Sequence, residues 1–383
     1  MRGFLFISNS SKPDIIAAES LAEIGPDSFS RASLHAADQL GWKLFMGINR
    51  NHPNLIKSKE LDIKFYNQHC YRNIFALNDN LKAYKNLCNY LKDNPQIEII
   101  HCNTPIGGVV GRLAGLRFKK KVIYTAHGFH FFKGAPILYR TVFKWIEQWL
   151  AHYTDVIITI NNEDFEAAKK FKLKKGGTVK LVSGVGIDLS SFICKTDFED
   201  KRKDLKIPDD AFVCIGIGDV IKRKNFKTAI ETISLLKNRN IYLLICGVGK
   251  EVKKLKKLAI QMGIVDKIHF LGYRFDVKEL LRVSNAFLFS SLQEGLPRST
   301  MEAMAMGLPC IVSDIRGNRD LIDNGKGGYL IQTKDASGYA EAIIALIENP
   351  KMAKKMGEYN KEKIKQFDIE LVKEQMLEIF KKV

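Results

Sequence analysis

Short apolar runs of strand length alternate with segments of helical periodicity along almost the whole chain, and this alternation restricts the fold more than any other feature. Runs rich in Val, Ile, Leu and Phe are typical of strands that are buried on both faces of a parallel sheet. The predicted strands cover 3–8, 43–48, 98–103, 121–127, 155–161, 179–184, 212–218, 241–249, 267–273, 285–291 and 309–314. The predicted helices cover 30–41, 136–153, 162–171, 225–238, 250–262, a segment from about 298, and the tail from 335. The pattern indicates an α/β fold in which helices cover both faces of parallel, doubly wound sheets.

Two domains are expected, because a chain of 383 residues exceeds what one hydrophobic core usually covers. The segment 191–210 is polar and without clear period, and the strand–helix alternation restarts after it. We therefore predict a Rossmann-like domain over 1–190, a linker over 191–210 and a second such domain over 211–360. A C-terminal helix over 361–383 is expected to pack back on the first domain. Ligands of such domains bind beyond the carboxyl ends of the strands, in a cleft where two domains face each other.

The formal net charge of +18 favours an anionic partner. Lysine runs at 117–121, 169–175 and 250–257 would attract nucleic acid, an anionic membrane leaflet or phosphorylated substrates. Solvated surface lysines of a lysine-rich proteome explain the same charge equally well. Charge alone therefore does not select a partner.

Cysteine usage and hydropathy point to the cytoplasm. The seven cysteines are scattered and include no C-x-x-C pair, which favours free thiols in a reducing compartment over disulfides or a zinc site. No run approaches the roughly 18 apolar residues of a membrane span, and the first apolar run is too short for a signal peptide.

Two carboxylates stand close together in EGLPRSTMEAMAMGLPCIVSD (294–314). Glu294 follows a predicted strand, and Glu302 comes after seven intervening residues. Gly295 permits a tight turn and Pro297 suits the first position of a helix, whose free N–H groups favour anions and hydroxyls. An acid at a helix start also stabilises the helix without any other role, so the pair by itself leaves both interpretations open.

This stretch closely resembles the signature of the retaining glycosyltransferases of family 4, which have the GT-B fold. Further stretches resemble the branch of that family that builds bacterial exopolysaccharide and capsule: YTAHGFHFFKGAP, TDVIITINNEDFEAAKKF, SGVGID and RKNF. The resemblance extends over nearly the whole chain. It implies two Rossmann-like domains facing a cleft and the transfer of a hexosyl or N-acetylhexosaminyl group from a nucleoside-diphosphate sugar.

Carried over to this sequence, the resemblance implies roles for the acidic motif. Glu294 and the backbone of Gly295, Leu296 and Pro297 would hold the hydroxyls of the donor sugar, and Glu302 would bind the ribose hydroxyls. Carboxylates suit both roles, because an ionised acid accepts several hydrogen bonds.

The resemblance also implies cations for the diphosphate. Lys224 matches the family lysine, but Asp219 stands where the family has an arginine, so Arg223 or Lys222 would have to replace it. A fixed cation at this place would stabilise the negative charge that grows on the departing diphosphate.

His127, which ends a predicted strand, matches a family histidine close to the transferred sugar, and we name it with Glu294 as a catalytic candidate. His130 is a weaker candidate, and a strand-end histidine also occurs for structural reasons alone. The chain contains no Asp-x-Asp pair, so a metal-independent enzyme without cofactor is expected.

The family branch implies a polyprenyl-diphosphate-linked glycan as acceptor and favours a uridine donor, with guanosine left open. The helix over 136–153 combines an apolar stripe with Arg140, Lys144 and Trp145, as an interfacial helix on anionic lipid would. A stripe that packs into the domain core is the alternative. The expected location is the inner face of the cell membrane, as a peripheral protein.

Two other functions fit part of these observations. A nucleotide-sugar epimerase or hydrolase can share the two-domain fold, but it would need acids placed for proton transfer at the sugar ring. A nucleic-acid-binding protein is suggested only by the charge, and no reading helix or aromatic–basic sheet motif is present, so no nucleic-acid partner is expected.

Overall fold

The computed structural model describes residues 2–8, 23–24, 26–50, 53, 56–71, 73–193 and 201–383. The chain forms two compact units: unit 1 comprises Met1–Gly186 with Ile369–Val383, and unit 2 comprises Ile187–Asp368. Of the predicted linker over 191–210, residues 194–200 lie outside the described residues.

The elements follow each other in alternation. The strands are β1 (Gly3–Ile7), β2 (Glu23–Ile24), β3 (Lys43–Ile48), β4 (Lys57–Ser58), β5 (Ile63–Asn67), β6 (Ile97–Asn103), β7 (Lys121–Ala126), β8 (Val156–Thr159), β9 (Thr178–Leu181), β10 (Phe212–Ile217), β11 (Ile241–Cys246), β12 (Ile268–Gly272), β13 (Ala286–Phe289), β14 (Cys310–Ser313) and β15 (Gly328–Ile331). The α-helices are α1 (Arg31–Gln39), α2 (Leu77–Asp93), α3 (Pro105–Arg117), α4 (Lys144–Ala151), α5 (Asn162–Ala168), α6 (Lys201–Asp204), α7 (Phe226–Leu235), α8 (Val252–Gln261), α9 (Val277–Arg282), α10 (Arg298–Ala305), α11 (Asn318–Leu321), α12 (Ala336–Glu348), α13 (Pro350–Lys363) and α14 (Ile369–Phe380). A π-helical segment covers Tyr139–Phe143, and short 3-10 turns cover Leu189–Phe192, Lys222–Lys224, Val265–Lys267 and Ile364–Phe367.

Unit 1 contains a seven-stranded parallel sheet in the order β5-β3-β1-β6-β7-β8-β9. Its central strands are buried on both faces, as the continuous apolar runs predict. The last helix of the chain, α14, belongs to this unit, where the ring of Phe380 stacks on Trp42 with 5.7 Å between centroids.

Unit 2 contains a six-stranded parallel sheet in the order β12-β11-β10-β13-β14-β15. The chain moves outward from β10 through β11 and β12 on one side, and from β13 through β14 and β15 on the other. The order therefore reverses between β10 and β13, because the chain continues from these two strands toward opposite edges of the sheet. Doubly wound sheets bind their ligands at such a point. The predicted α/β class with two doubly wound sheets is confirmed.

The cysteines of the described residues are buried free thiols, as predicted. Burial raises the pKa of several of them, including that of Cys214, to about 12. Among the described residues, no helix is long and apolar enough to cross a bilayer.

Candidate active site

Two loops meet at the reversal point of the unit 2 sheet. One follows β10 and includes residues 218–225, and the other follows β13 and includes residues 290–297. Asn225 joins them: its Nδ2 donates to the carbonyls of Ser290 (3.0 Å) and Thr333 (2.9 Å). In return, the hydroxyl of Ser290 donates to the carbonyl of Asn225 at 2.8 Å. These hydrogen bonds hold the predicted basic loop beside the predicted acidic motif.

Glu294 lies at the centre of this junction and is 8% exposed. Lys224 Nζ and an Arg223 guanidinium nitrogen each approach Glu294 Oε1 to 2.9 Å. The hydroxyl of Ser291 donates to the same oxygen at 2.6 Å. Buried charges persist in proteins when they are paired and hydrogen-bonded, and this carboxylate is both. The structure thus brings together three residues that the sequence placed in one site.

The side chain of Lys224 is enclosed as well. It is 11% exposed, and its ammonium group lies 4.8 Å from the ring centroid of Phe289, the last residue of β13. An aromatic face attracts a cation, so this ring adds to the fixation of the ammonium group. The result is a cation held in one place by a carboxylate and a ring before any ligand is bound.

Of the two residues that could replace the family arginine, only one joins this cluster. Arg223 binds both the side chain of Glu294 and the carbonyl of Gln293, at 2.6 Å for the latter. Lys222 and Asp219 are exposed. The 3-10 turn over Lys222–Lys224 explains the difference, because it directs neighbouring side chains into different directions.

The backbone after Glu294 runs close to a second turn. Gly317 has φ +77°, and a Cβ at this position would lie 2.3 Å from the carbonyl oxygen of Gly295, so both the conformation and the contact require glycine. Arg316, which is buried, donates from Nε to the carbonyl of Glu294 at 3.0 Å. Within the described part of the chain, no backbone hydrogen bond engages the amides of Gly295 and Leu296.

Helix α10 begins at Arg298, with Pro297 one residue before it in extended conformation rather than at the predicted first helical position. Glu302 lies one turn further and forms an ion pair with Arg298 at 3.1 Å. Burial raises the pKa of Glu302 above the ordinary glutamate value, although Arg298 and Lys278 partly oppose the rise. The side chain of Glu302 is 19% exposed, whereas that of its partner Arg298 is about half exposed.

His127 belongs to unit 1, where it directly follows β7. Its ring meets that of Phe29 edge to face, with 4.9 Å between centroids, and both ring nitrogens are buried. Neighbouring His101 has a pKa lowered to about 3 by burial and, to a lesser extent, by His127. His130 packs on the ring of Phe143 at 5.3 Å.

Three further residues shape the unit 2 site without having been predicted. Ser291 binds the carboxylate of Glu294, and Arg316 binds its backbone carbonyl. Both residues come shortly after the end of a strand, and this position is the sequence feature by which they could be found. Lys278 lies near Glu302 and donates to the carbonyl of Ser191 at 2.6 Å. A lysine inside a helix carries no sequence signal for such a place.

Comparison with known proteins identifies the family. Residues 197–363 match the family described as Glycosyl transferases group 1, and residues 60–181 match the family described as Glycosyltransferase Family 4. EpsD of Bacillus subtilis (strain 168), a glycosyltransferase by its name, is 33% identical over 308 residues, which is 79% of this chain and 80% of EpsD.

A second relative has a more specific name. It is the UDP-Gal:alpha-D-GlcNAc-diphosphoundecaprenol alpha-1,3-galactosyltransferase of Escherichia coli, 30% identical over 287 residues and 73% of each chain. Among solved structures, HepE of Anabaena in complex with UDP and glucose superimposes with a TM-score of 0.79 at 16% identity over 100% of both chains. The chain therefore belongs to glycosyltransferase family 4, has the GT-B fold and is a glycosyltransferase.

Proposed function

We propose that this glycosyltransferase moves a sugar from a uridine-diphosphate (UDP) sugar to a polyprenyl-diphosphate-linked glycan, with retention of the anomeric configuration, in exopolysaccharide or capsule synthesis. The name of the Escherichia coli relative supports the donor and the acceptor, and the ligands of Anabaena HepE support the donor. The observation on which the proposal rests is the convergence of Arg223 and Lys224 on Glu294 at the reversal point of the unit 2 sheet.

In this proposal Lys224 and Arg223 bind the donor diphosphate. Both are cations held at a strand end by Glu294, so little reorganisation is needed when the phosphates bind. As the bond between the sugar and the diphosphate breaks, negative charge accumulates on the diphosphate, and the two cations stabilise it. We expect the larger effect from Lys224, because its side chain is 11% exposed whereas that of Arg223 is 40% exposed.

Glu294 is proposed to accept hydrogen bonds from hydroxyls of the donor sugar, assisted by the backbone of Gly295, Leu296 and Pro297. The amides of Gly295 and Leu296, which no backbone carbonyl of the described residues engages, are suited to a polar ligand. Glu302 is proposed to accept from the ribose hydroxyls, and His127 to contact the transferred sugar.

A transfer assay tests the proposal. Purified protein is given a panel of UDP- and GDP-sugars with a polyprenyl-diphosphate-linked sugar acceptor, with and without EDTA, and the product is analysed by mass and by the anomeric proton signals. We expect transfer from one UDP-sugar, with retained configuration, that EDTA leaves intact. Transfer from GDP-sugars alone, or none from any donor to this acceptor, would contradict it.

Variants test the roles of the cations. Lys224→Ala is expected to lower kcat by roughly 100-fold or more, as removal of a charge-stabilising donor does. Lys227→Ala provides a matched control, because Lys227 is three residues away and 58% exposed in its pair with Glu231. Arg223→Ala should resemble Lys224→Ala, whereas Lys222→Ala should resemble the control. Equal effects of Arg223→Ala and Lys222→Ala would refute the assignment of Arg223.

The inner face of the cell membrane is the proposed location. In the segment 136–153, Leu138 and Trp145 are about two-thirds exposed, next to Lys144 and Arg140. Exposed apolar and cationic side chains on one segment fit an anionic lipid surface. Co-sedimentation with vesicles is expected to increase with their anionic lipid content. Vesicle binding that does not change with this content would count against the location.

A further inference from the structure

An apolar groove of about 940 Å³ lies on unit 1; it shares His130 and part of the segment 136–153 with the assignments above, and its other lining residues have no role so far. Its walls are α2, α3 and the continuous segment formed by the π-helical turn and α4. The side chains that line it include Leu77 and Leu81 of α2, Val109 and Leu113 of α3, and Val142 and Ile146 of the third wall. This volume is within the range of small-molecule sites.

The residues around the groove are unusually exposed for their type. Leu77 is 69% exposed, Leu81 58% and Val142 43%, while the neighbouring Phe75 is 85% exposed. Scattered exposed apolar residues are normal, but a contiguous apolar surface of this kind marks a binding site for a protein, a lipid or a ligand.

One face of helix α3 packs against the sheet, and the opposite face lines the groove. On the sheet side a Cβ at Gly111 would lie 2.6 Å from Cys102, and one at Gly115 would lie 2.2 Å from Val122 Cγ2. The glycines thus bring α3 into very close contact with the sheet, while the larger Val109 and Leu113 line the groove. Val109 and Leu113 remain partly exposed there, so the described part of unit 1 leaves their apolar surface incompletely covered.

The groove begins at the carboxyl edge of the sheet. Pro105, which follows β6, and His130, which follows β7, line this end, and Arg117 lines the opposite end. From Pro105 to Arg117 the helix advances by about 18 Å, at about 1.5 Å per residue. An extended apolar chain fits such a shape better than a compact molecule does.

The charges at the groove favour an anion attached to that chain. The ring of His130 lies 6.4 Å from that of Tyr139, whose neighbour Arg140 is exposed. The acidic lining residue Glu147 is neutralised beneath the surface by buried Arg112 at 2.7 Å. The groove therefore has Arg117 at one end and the exposed Arg140 near its His130 end, and Glu147, the acid among its lining residues, is paired with Arg112.

We propose that this groove binds the first isoprene units of the lipid-linked acceptor, with the diphosphate at the His130 end and the chain along α3. The inference rests on the proposed function, which supplies a polyprenyl diphosphate as the acceptor. The π-helical turn over Tyr139–Phe143 fits this role, since such turns frequently occur at functional sites.

Farnesyl diphosphate is the probe, because it carries the isoprenoid chain and the diphosphate but no sugar. Its Kd is measured by calorimetry on the full chain, next to inorganic diphosphate and farnesol. In the groove variant Leu81→Gln/Val142→Gln we expect the Kd of farnesyl diphosphate to rise about tenfold or more, because apolar contacts with the chain are lost. Inorganic diphosphate should bind much more weakly than farnesyl diphosphate.

The control is Leu235→Gln/Val265→Gln. These unit 2 residues are 58% and 44% exposed, close to the 58% and 43% of the groove pair, so the two variants remove similar apolar surface. The control should keep the Kd of the unaltered chain. Equal Kd values in the groove variant and the unaltered chain would overturn the proposal, and so would inorganic diphosphate binding as tightly as farnesyl diphosphate.

Two further experiments test whether the groove has a different occupant. A groove variant that loses binding to isoprenoid-free anionic vesicles but keeps farnesyl diphosphate binding would make the groove a membrane contact. A dimer in sedimentation experiments that the groove variant abolishes would make the occupant a second copy of the chain. Either result would overturn the proposal. Sugar transfer to the polyprenyl acceptor without farnesyl diphosphate binding would refute the groove alone, whereas absence of transfer would refute the proposed function.

Discussion

The ion pair between Lys224 and Glu294 leads to a prediction about two different properties of unit 2. Replacing Lys224 with methionine keeps the volume of the side chain and removes its charge. In the absence of ligand this should destabilise unit 2, because Glu294 loses one partner. In the presence of UDP it should weaken binding, because in our proposal the same cation binds the diphosphate.

The size of the effect follows from the surroundings. Removing one partner of a buried ion pair costs about 3–5 kcal/mol when the other charge is left without compensation. Here Arg223 and Ser291 still reach Glu294 Oε1, so only one charge-assisted hydrogen bond is lost. We therefore expect a loss of about 1.5–3 kcal/mol in the free energy of unfolding of unit 2. The same range corresponds to UDP binding weakened about 10- to 150-fold.

Glu294→Gln should separate the two roles. In the unaltered protein the carboxylate of Glu294 and the diphosphate would both attract the ammonium group of Lys224. The variant removes the negative charge of Glu294, so UDP itself should bind as tightly as before or more tightly. Binding of the complete UDP-sugar should weaken, because the amide accepts fewer hydrogen bonds from the sugar hydroxyls. The double variant should show a coupling of about 1–2 kcal/mol in stability, as expected for side chains in direct contact.

Native-state hydrogen exchange of peptides from unit 2 is the suitable assay for stability. Tryptophan fluorescence does not report on the unfolding of unit 2, because all three tryptophans belong to unit 1: Trp42, Trp145 and Trp149. The control is Lys227→Met, whose surface pair with Glu231 should contribute no more than about 0.5 kcal/mol.

Two outcomes would refute this reasoning. Negligible coupling between the two variants would mean that the ion pair does not form in solution. A Glu294→Gln protein that binds UDP and the UDP-sugar equally poorly would mean that Glu294 acts on the nucleotide and not on the sugar.

Three other predictions concern charge and packing. Because burial raises the pKa of Glu302, UDP affinity should begin to fall on acidification at a higher pH than the ordinary glutamate value of about 4.3 would allow, and Glu302→Gln should remove this dependence in titrations by calorimetry. Gly115→Ala should destabilise unit 1 by about 1–3 kcal/mol in urea unfolding followed by fluorescence, because the new Cβ would lie 2.2 Å from Val122 Cγ2; an unchanged midpoint would contradict the close contact. Glu147→Leu should cost about 3–5 kcal/mol in the same assay, because it leaves the buried charge of Arg112 unpaired, and Arg112→Met in addition should recover most of the loss.

The sheets were predictable because most of their strands are buried on both faces. A strand in such a place consists of apolar residues throughout, and β1, β8 and β13 are recognisable in the sequence for that reason. The strands β5 and β15 were not predicted. Both lie at the edge of their sheet, but so do β9 and β12, which were predicted, so the edge position alone is not the reason. Neither missed strand is a continuous apolar run: β5 contains Lys64 and Asn67, and β15 is only four residues long and begins with Gly328.

Helix α3 was not predicted for a different reason. Four of its residues are glycines, which lower helix propensity, and its sequence therefore does not indicate a helix. The tertiary structure explains them: Cβ atoms at Gly108 and Gly115 would collide with Tyr124 and Val122 of β7. Close packing on the sheet thus outweighs the local propensity, and this requirement appears only when the neighbouring strand is known.

The candidate site shows the same division between local and long-range information. The resemblance to the family indicates Glu294 and Lys224, and each of them lies in a loop that follows an easily recognised strand. It cannot choose between Lys222 and Arg223, since adjacent residues differ only in the direction that a 3-10 turn gives them. The contact of Arg223 with Glu294 is our reason for proposing Arg223 rather than Lys222, because a basic residue held on that carboxylate lies next to the proposed diphosphate site. In our proposal Arg223 thus takes the place of the arginine that the family has at Asp219, from the same loop and through its contact with Glu294.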